Sequence, residues 1–280
     1  MEWADFEKQI KNEVRNMGGN YVWTDVLLQG KYHIQKNVKT GSYRLLDGLR
    51  KRILLSDYDD CLSKLNEFSP KFDHDHLVLM IHGLGRHAGI MDKPKAALRK
   101  AGYSAHSLNY ATLFESVEQH ADHFTHLLEN LKGVKKVSFV THSLGGLVAR
   151  ELLSRAQEWN GVKADKLVMM GTPNKGAQIA EFLNRMKLYQ FISGPSGQDV
   201  RPMKKIKNLP EPPIPTLVIA GGMGNDIGYN PMLSGDNDGI VRVSETRLDC
   251  AHEFKLVNVI HTTIMDHPDS IKAMLDFLGK

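Results

Sequence analysis

Val137-Ser138-Phe139-Val140-Thr141-His142-Ser143-Leu144-Gly145-Gly146-Leu147-Val148-Ala149-Arg150-Glu151-Leu152-Leu153 reads as an apolar strand, a bend carrying a serine, and a helix. Leu144, Leu147, Val148 and Leu152 recur at three- and four-residue steps and make the helix's buried stripe. Gly145 and Gly146 let that helix cross close to the strand. So abrupt a turn lifts the Ser143 hydroxyl clear of its neighbours. The first N–H groups of the helix, unpaired inside it, then face whatever the oxygen attacks. This is the shape of a nucleophile elbow. Thr141 replaces the first glycine of the usual Gly-x-Ser-x-Gly, which asks only that this position take a fairly small residue. The pentapeptide alone also fits an ordinary strand–helix connection, so its surroundings decide.

Those surroundings alternate apolar strands with helical patterns, the signature of a mostly parallel sheet covered by helices on both faces. The strands are expected at His76–His82, Ser104–Asn109, Lys136–Val140, Lys166–Met170, Thr216–Ala220 and Phe254–Ile260. Helices are expected near Lys93–Ala101, Ser116–Leu131, Leu144–Trp159 and Ala177–Met186. A final helix starts at Pro268, with Ile271, Met274, Leu275 and Leu278 on one face. Upstream, Trp3, Phe6, Ile10, Val14 and Met17 form one apolar stripe on a helix closed by Gly18-Gly19, and Tyr32–Lys36 with Ser42–Leu46 reads as a hairpin. The expected organisation is one α/β domain over residues 1–280. Residues 1–75 form a helix-and-hairpin extension, and residues 174–213 are a cap or lid insertion between two core strands. Met186, Leu188, Tyr189, Phe191 and Ile192 in that insertion suit either an acyl-chain wall or the insertion's own small core.

Bulk properties narrow the function. The chain has 280 residues, 41% of them hydrophobic, enough for a substantial core. Its 36 basic and 32 acidic residues are intermixed, and a net charge of +4 does not call for a nucleic-acid partner. Leu77-Val78-Leu79-Met80-Ile81 is far too short to span a bilayer, and Met1-Glu2-Trp3-Ala4-Asp5 has neither the basic nor the apolar region of an export signal. A cytoplasmic protein is therefore expected, with peripheral membrane contact left open but not indicated. Cys61 and Cys250 lack CxxC spacing and read as free thiols.

A serine nucleophile needs a base, an acid to orient it, and donors for an oxyanion. Strand His76–His82 runs into His82-Gly83-Leu84-Gly85-Arg86, whose glycines bring the backbone close to a substrate and present the Leu84 N–H. With the N–H of Leu144, that gives two oxyanion donors. The acid is expected after a late strand, in Ser234-Gly235-Asp236-Asn237-Asp238-Gly239. Asp238 is the choice, Asp236 the competitor, and a solvated turn the alternative use of the string. Its carboxylate spacing does not fit a calcium loop. The base is expected where Asn258-Val259-Ile260-His261 ends the last strand, so His261 is chosen over His267, which belongs with the start of the final helix. His142 is expected to shape the elbow. His120, His123 and His126 recur every three residues, but no HExxH motif or cysteine accompanies them, so they read as a helix face, and no metal site is expected.

With these residues in place, the chain resembles the bacterial lipase-like branch of the α/β-hydrolase superfamily, a group similar to the GPI-inositol-deacylase-like hydrolases. The resemblance runs over nearly the whole chain. It rests on Thr40-Gly41-Ser42-Tyr43-Arg44-Leu45-Leu46-Asp47, His82-Gly83-Leu84-Gly85-Arg86, Thr141-His142-Ser143-Leu144-Gly145-Gly146-Leu147, Gly171-Thr172-Pro173-Asn174-Lys175-Gly176, Gly235-Asp236-Asn237-Asp238-Gly239 and His261-Thr262-Thr263-Ile264-Met265, in that order. It implies Ser143 as nucleophile, Asp238 as acid, His261 as base, and Leu84 and Leu144 as oxyanion donors. It also implies hydrolysis of a small-molecule or lipid acyl ester without a cofactor. An acyltransferase, thioesterase or amidase would use the same residues, and a non-catalytic module that binds a lipid or a protein would use the same fold.

Overall fold

The computed structural model describes residues 19–175 and 209–280. The expected N-terminal helix at residues 3–17, the helix at 177–186 and most of the 174–213 insertion lie outside them.

The described chain opens with four strands, β1 (Trp23–Gln29), β2 (Tyr32–Asn37), β3 (Tyr43–Leu46) and β4 (Arg52–Ser56), paired antiparallel in that order. Helix α1 (Tyr58–Glu67) packs on this small sheet through Cys61 and Leu65, which join Val26, Leu27, Ile34 and Leu45 in one buried cluster. Then come β5 (His76–Ile81), α2 (Asp92–Lys100), β6 (Ser104–Leu108), α3 (Val117–Glu129), β7 (Lys136–His142), α4 (Leu144–Arg155), β8 (Glu158–Trp159) and β9 (Val162–Met170). β10 (Thr216–Gly221), α5 (Val243–Thr246), β11 (Glu253–Val257) and α6 (Pro268–Leu278) complete it. Six strands run in the order β11-β10-β9-β7-β5-β6 with every pairing parallel, and β8 adds an antiparallel seventh beside β9.

β5 shows why the apolar runs are continuous rather than alternating. Leu77, Leu79 and Ile81 point to one face, with residues of α3 and α4, while Val78 and Met80 point to the other, with residues of α2 and α6. Both faces are dry, so both sets of side chains must be apolar. The sheet is thereby fixed from two sides, and the C-terminal ends of β5, β7, β9 and β10 converge on one rim.

The structure moves several expected boundaries. α4 stops at Arg155, because Trp159 belongs to β8 and pairs with Val162 across a two-residue hairpin. Asn160 and Gly161 both have positive φ there, 48° and 85°, which is the type I′ geometry that Asn-Gly favours. β9 therefore begins at Val162, ahead of the expected Lys166. β11 ends at Val257, so His261 does not end a strand; it opens a 3₁₀ turn at His261–Asp266. β1, β4 and α1 were not expected. β1 carries Thr24, Asp25 and Gln29 among its seven buried residues, so neither alternation nor an apolar run marks it. Cys61 is buried and Cys250 half-buried, both free. Among the described residues, no helix is long and apolar enough to cross a membrane.

Candidate active site

Strand β7 delivers Ser143 to the rim. Its last residue, His142, pairs with Met170 of β9, and the Ser143 N–H then donates to the Met170 carbonyl at 2.9 Å. At Ser143 the backbone breaks to φ 52° and ψ −119°, and α4 begins at the next residue. A side chain in this conformation is strained and is held there by the packing on both sides. The packing is tight. A Cβ on Gly145 would fall against the carbonyls of Ile81 and, at 2.7 Å, His82.

His261 stands opposite the serine. Its Nε2 lies 3.0 Å from Ser143 Oγ and its Nδ1 lies 2.7 Å from Asp238 Oδ2. Ser143, His261 and Asp238 are 4%, 6% and 1% exposed, so the whole hydrogen-bond chain is shielded. Asp238 is held by more than the imidazole. Its Oδ1 accepts from the N–H groups of Ile240 (3.0 Å) and Val241 (2.7 Å), and its carbonyl accepts the His261 N–H at 2.9 Å.

Asp236 does different work. Its two oxygens accept from Met223 N (2.8 Å) and Gly224 N (2.9 Å), closing the loop after β10. His267 caps α6, accepting the Asp269 N–H at 3.2 Å. The structure thus brings Ser143, His261 and Asp238 together and leaves Asp236 and His267 elsewhere.

Leu84 and Leu144 flank the serine. With Gly83, Arg86, His142, Ser143, Ile240, His261 and Thr262, Leu84 lines a cavity of about 80 Å³. Leu144 is the first residue of α4, so its N–H has no partner within the helix. The Leu84 turn is braced from behind by the Gly85 N–H on Thr112 Oγ1 at 3.0 Å.

Two residues quoted in the sequence motifs have roles that the sequence did not assign. Gly171, at φ +60°, follows β9 directly beneath the imidazole, where a Cβ would come within 3.1 Å of His261 Nδ1 and 3.4 Å of Asp238 Oδ2. Both the backbone conformation and the space require glycine. Arg150 is buried on α4 and donates to the carbonyls of Asn174 (3.0 Å), Pro210 (3.2 Å) and Leu209. One guanidinium thereby gathers both ends of the segment between β9 and β10. Arg150→Ala would leave these buried carbonyls short of donors, and each such loss costs about 1–3 kcal/mol. Urea unfolding of the variant should show a loss of roughly 2–5 kcal/mol; unchanged stability would contradict the role of Arg150.

His142 and the three histidines of α3 make packing and hydrogen-bond contacts away from the serine. His142 donates from Nε2 to the His261 carbonyl at 3.0 Å; burial, and then the neighbouring His261, push its pKa well below the usual histidine range. His120 is buried against Tyr110, His123 pairs with Glu115 at 2.9 Å, and His126 is exposed, so the three share no ligand position. Among the described residues, no cluster of His, Cys, Asp or Glu could hold a metal ion.

Burial lowers His82 and His106 to about 3 and His120 to about 4, from an ordinary value of 6.5. As pH falls below 6.5, the unfolded chain takes up protons on these residues that the folded chain refuses. Stability present above pH 6.5 is then lost at about 1.4 kcal/mol per pH unit for each histidine. Urea unfolding at pH 7 and pH 5 should therefore differ by several kcal/mol. His120→Phe, which keeps the ring against Tyr110, should flatten the slope by about one quarter, because buried His142 adds a fourth contribution of the same sign. A pH-independent stability between 7 and 5 would contradict this account.

The parallel sheet, its strand order and the serine bend define an α/β-hydrolase fold. Within it, the sequence matches the family described as Domain of unknown function (DUF7379) over residues 57–207, and the chain belongs to that family. No curated protein matches it in sequence. Among solved structures, it is similar to a carboxylesterase of the ammonia-oxidizing thaumarchaeon Nitrososphaera gargenis, with 14% identity, a TM-score of 0.53, and coverage of 74% of this chain and 90% of that one. It is also similar to an inhibited esterase B from Lactobacillus rhamnosis, with 14% identity, a TM-score of 0.52, and coverage of 99% of this chain and 94% of that one. At such identities the likeness is one of fold.

Proposed function

We propose that this chain is a serine hydrolase that cleaves carboxylic esters through an acyl-enzyme, with Ser143 as nucleophile, His261 as base and Asp238 as the acid that orients it. The observation that carries this reading is the continuous hydrogen-bond chain from Ser143 Oγ through His261 to Asp238. Ser143 attacks the ester carbonyl while His261 Nε2 takes its proton. Asp238 holds the Nδ1–H and stabilises the imidazolium. The N–H groups of Leu84 and Leu144 receive the oxyanion. His261 then returns the proton to the departing alcohol, and water attacks the acyl-enzyme with His261 again as base. None of these steps uses a cofactor.

The domain reading goes with it: one hydrolase domain over residues 1–280, with 174–213 as a cap over the serine. Arg150, which gathers Asn174, Leu209 and Pro210, supports an insertion whose ends are close together. Within the superfamily, the ordered motifs support the bacterial lipase-like group similar to GPI-inositol-deacylase-like hydrolases, acting on a small-molecule or lipid acyl ester.

Hydrolysis of p-nitrophenyl esters from acetyl to palmitoyl tests the reading. The expected result is turnover of at least part of the series that depends on Ser143, with the optimum chain length separating esterase from lipase. Turnover of thioesters or amides alone would assign the same residues to another acyl transfer, and inertness to every acyl donor would contradict the proposal.

A further inference from the structure

The antiparallel sheet carries a second cavity, of about 260 Å³, lined among others by Arg44, Arg50, Arg52, His33 and His87. Cross-strand register explains the gathering. Asp25 of β1 lies opposite Gln35 of β2, and Gln35 opposite Arg44 of β3, which makes one row. In the adjacent row His33 lies opposite Leu46, and Leu46 opposite Arg52 of β4. Residues two apart on a strand share a face, so Arg44 and Arg52 come from neighbouring rows of the same surface.

Two of these cations, Arg44 and Arg52, have no carboxylate partner among the described residues. Asp25 is occupied by His33 Nδ1 at 3.1 Å and by the Asn109 N–H at 2.6 Å. The Arg44 guanidinium, stacked 4.2 Å over Trp23, donates instead to the neutral amide oxygens of Gln35 (2.9 and 2.7 Å) and Asn20 (3.3 Å), and its Nη1 makes no hydrogen bond among the described residues. Burial lowers Arg44 to about 10; Asp25 opposes that shift and Arg52 adds to it by repulsion. Arg50 forms a fork on Asp92 at 2.8 and 3.1 Å. Arg50 is also held at φ 62°, in a turn where Asp47 Oδ1 accepts from Leu49 N and Lys51 N, so the turn fixes where its side chain starts. The Arg52 side chain is exposed and makes no ion pair or hydrogen bond among the described residues. Arg50 is therefore neutralised by Asp92, whereas Arg44 and Arg52 bring positive charge to the cavity without a carboxylate of their own.

We propose that this cavity is a binding site for a phosphate-type oxyanion on a small molecule, held by Arg44 and Arg52 with His33 and His87 at its wall. Guanidinium forks match the tetrahedral oxygens of phosphate. Ligand pockets for drug-sized molecules run from about 300 Å³ upward, so this cavity suits a smaller ligand, a phosphate or diphosphate group with little attached. It is separate from the Ser143 cavity, although one loop serves both: Gly83, Leu84 and Arg86 face the serine, and His87, Ala88 and Gly89 line the anion pocket.

Calorimetric titration of the full chain with inorganic phosphate and with pyrophosphate, at ionic strength fixed with sodium chloride, tests the proposal. Saturable binding of one anion per chain is expected. Arg52→Ala should weaken it at least about tenfold, Arg52→Lys less, and Lys163→Ala, on β9 outside the pocket, not at all. Because Arg52 is exposed, its replacement leaves the fold intact, which circular dichroism checks. Absence of saturable binding by both anions, or equal binding by wild type and Arg52→Ala, would overturn the proposal.

Discussion

Ser143→Ala should lower kcat/KM for ester hydrolysis by at least about 10⁴-fold while changing stability by no more than about 1 kcal/mol. The substitution removes one oxygen and one hydrogen bond to His261 and leaves the backbone turn to the packing around it. Asp238→Asn should approach the same loss, because an amide in place of the carboxylate no longer favours the His261 tautomer that accepts from serine. Asp236→Asn should act on the loop instead, through Met223 N and Gly224 N, and cost stability with a much smaller effect on turnover. Steady-state kinetics beside urea melts separate these outcomes. An Asp236→Asn enzyme as inert as Asp238→Asn would reverse the assignment of the acid.

Gly145→Val should not fold. The added Cβ would sit against the Ile81 and His82 carbonyls at the end of β5, and backbone of a central strand cannot move aside without breaking the sheet. Even Gly145→Ala should lose more than about 3 kcal/mol, a large part of a typical stability of about 5–15 kcal/mol. Gly146 gives the internal comparison. A Cβ there would meet the side chain of Thr172, with Cγ2 at 2.6 Å, and the flexible end of Met169 at 2.9 Å. Thr172→Ala removes the first obstacle, and because Thr172 Oγ1 is buried without a hydrogen-bond partner among the described residues, its loss is cheap. Gly146→Ala should therefore be rescued in large part by Thr172→Ala, whereas no side-chain change should rescue Gly145→Ala. Soluble yield and urea midpoints of the four variants decide the matter.

The sheet was legible because a parallel strand buried on both faces must be apolar throughout, as in Leu77-Val78-Leu79-Met80-Ile81, and such runs stand out. β1 was not legible, because its buried Asp25 and Thr24 are satisfied by partners far along the chain, Asn109 and Glu115. The end of α4 was misread although its signal was present: Asn160-Gly161 marks a hairpin more strongly than the apolar Trp159 marks a helix. Of the candidate site, the strand–bend–helix pattern picked out Ser143 and chain order Asp238 and His261, while Gly171 and Arg150 act through space, beneath an imidazole and between distant carbonyls. No local spacing encodes either.

The most direct test of the central claim is intact-protein mass spectrometry after treatment with a fluorophosphonate, followed by peptide mapping. Only a serine activated by a neighbouring base reacts rapidly with this reagent. The account predicts one adduct per chain, on Ser143, lost in Ser143→Ala and slowed strongly in His261→Ala. An unlabelled protein, or an adduct on any other residue, would contradict it.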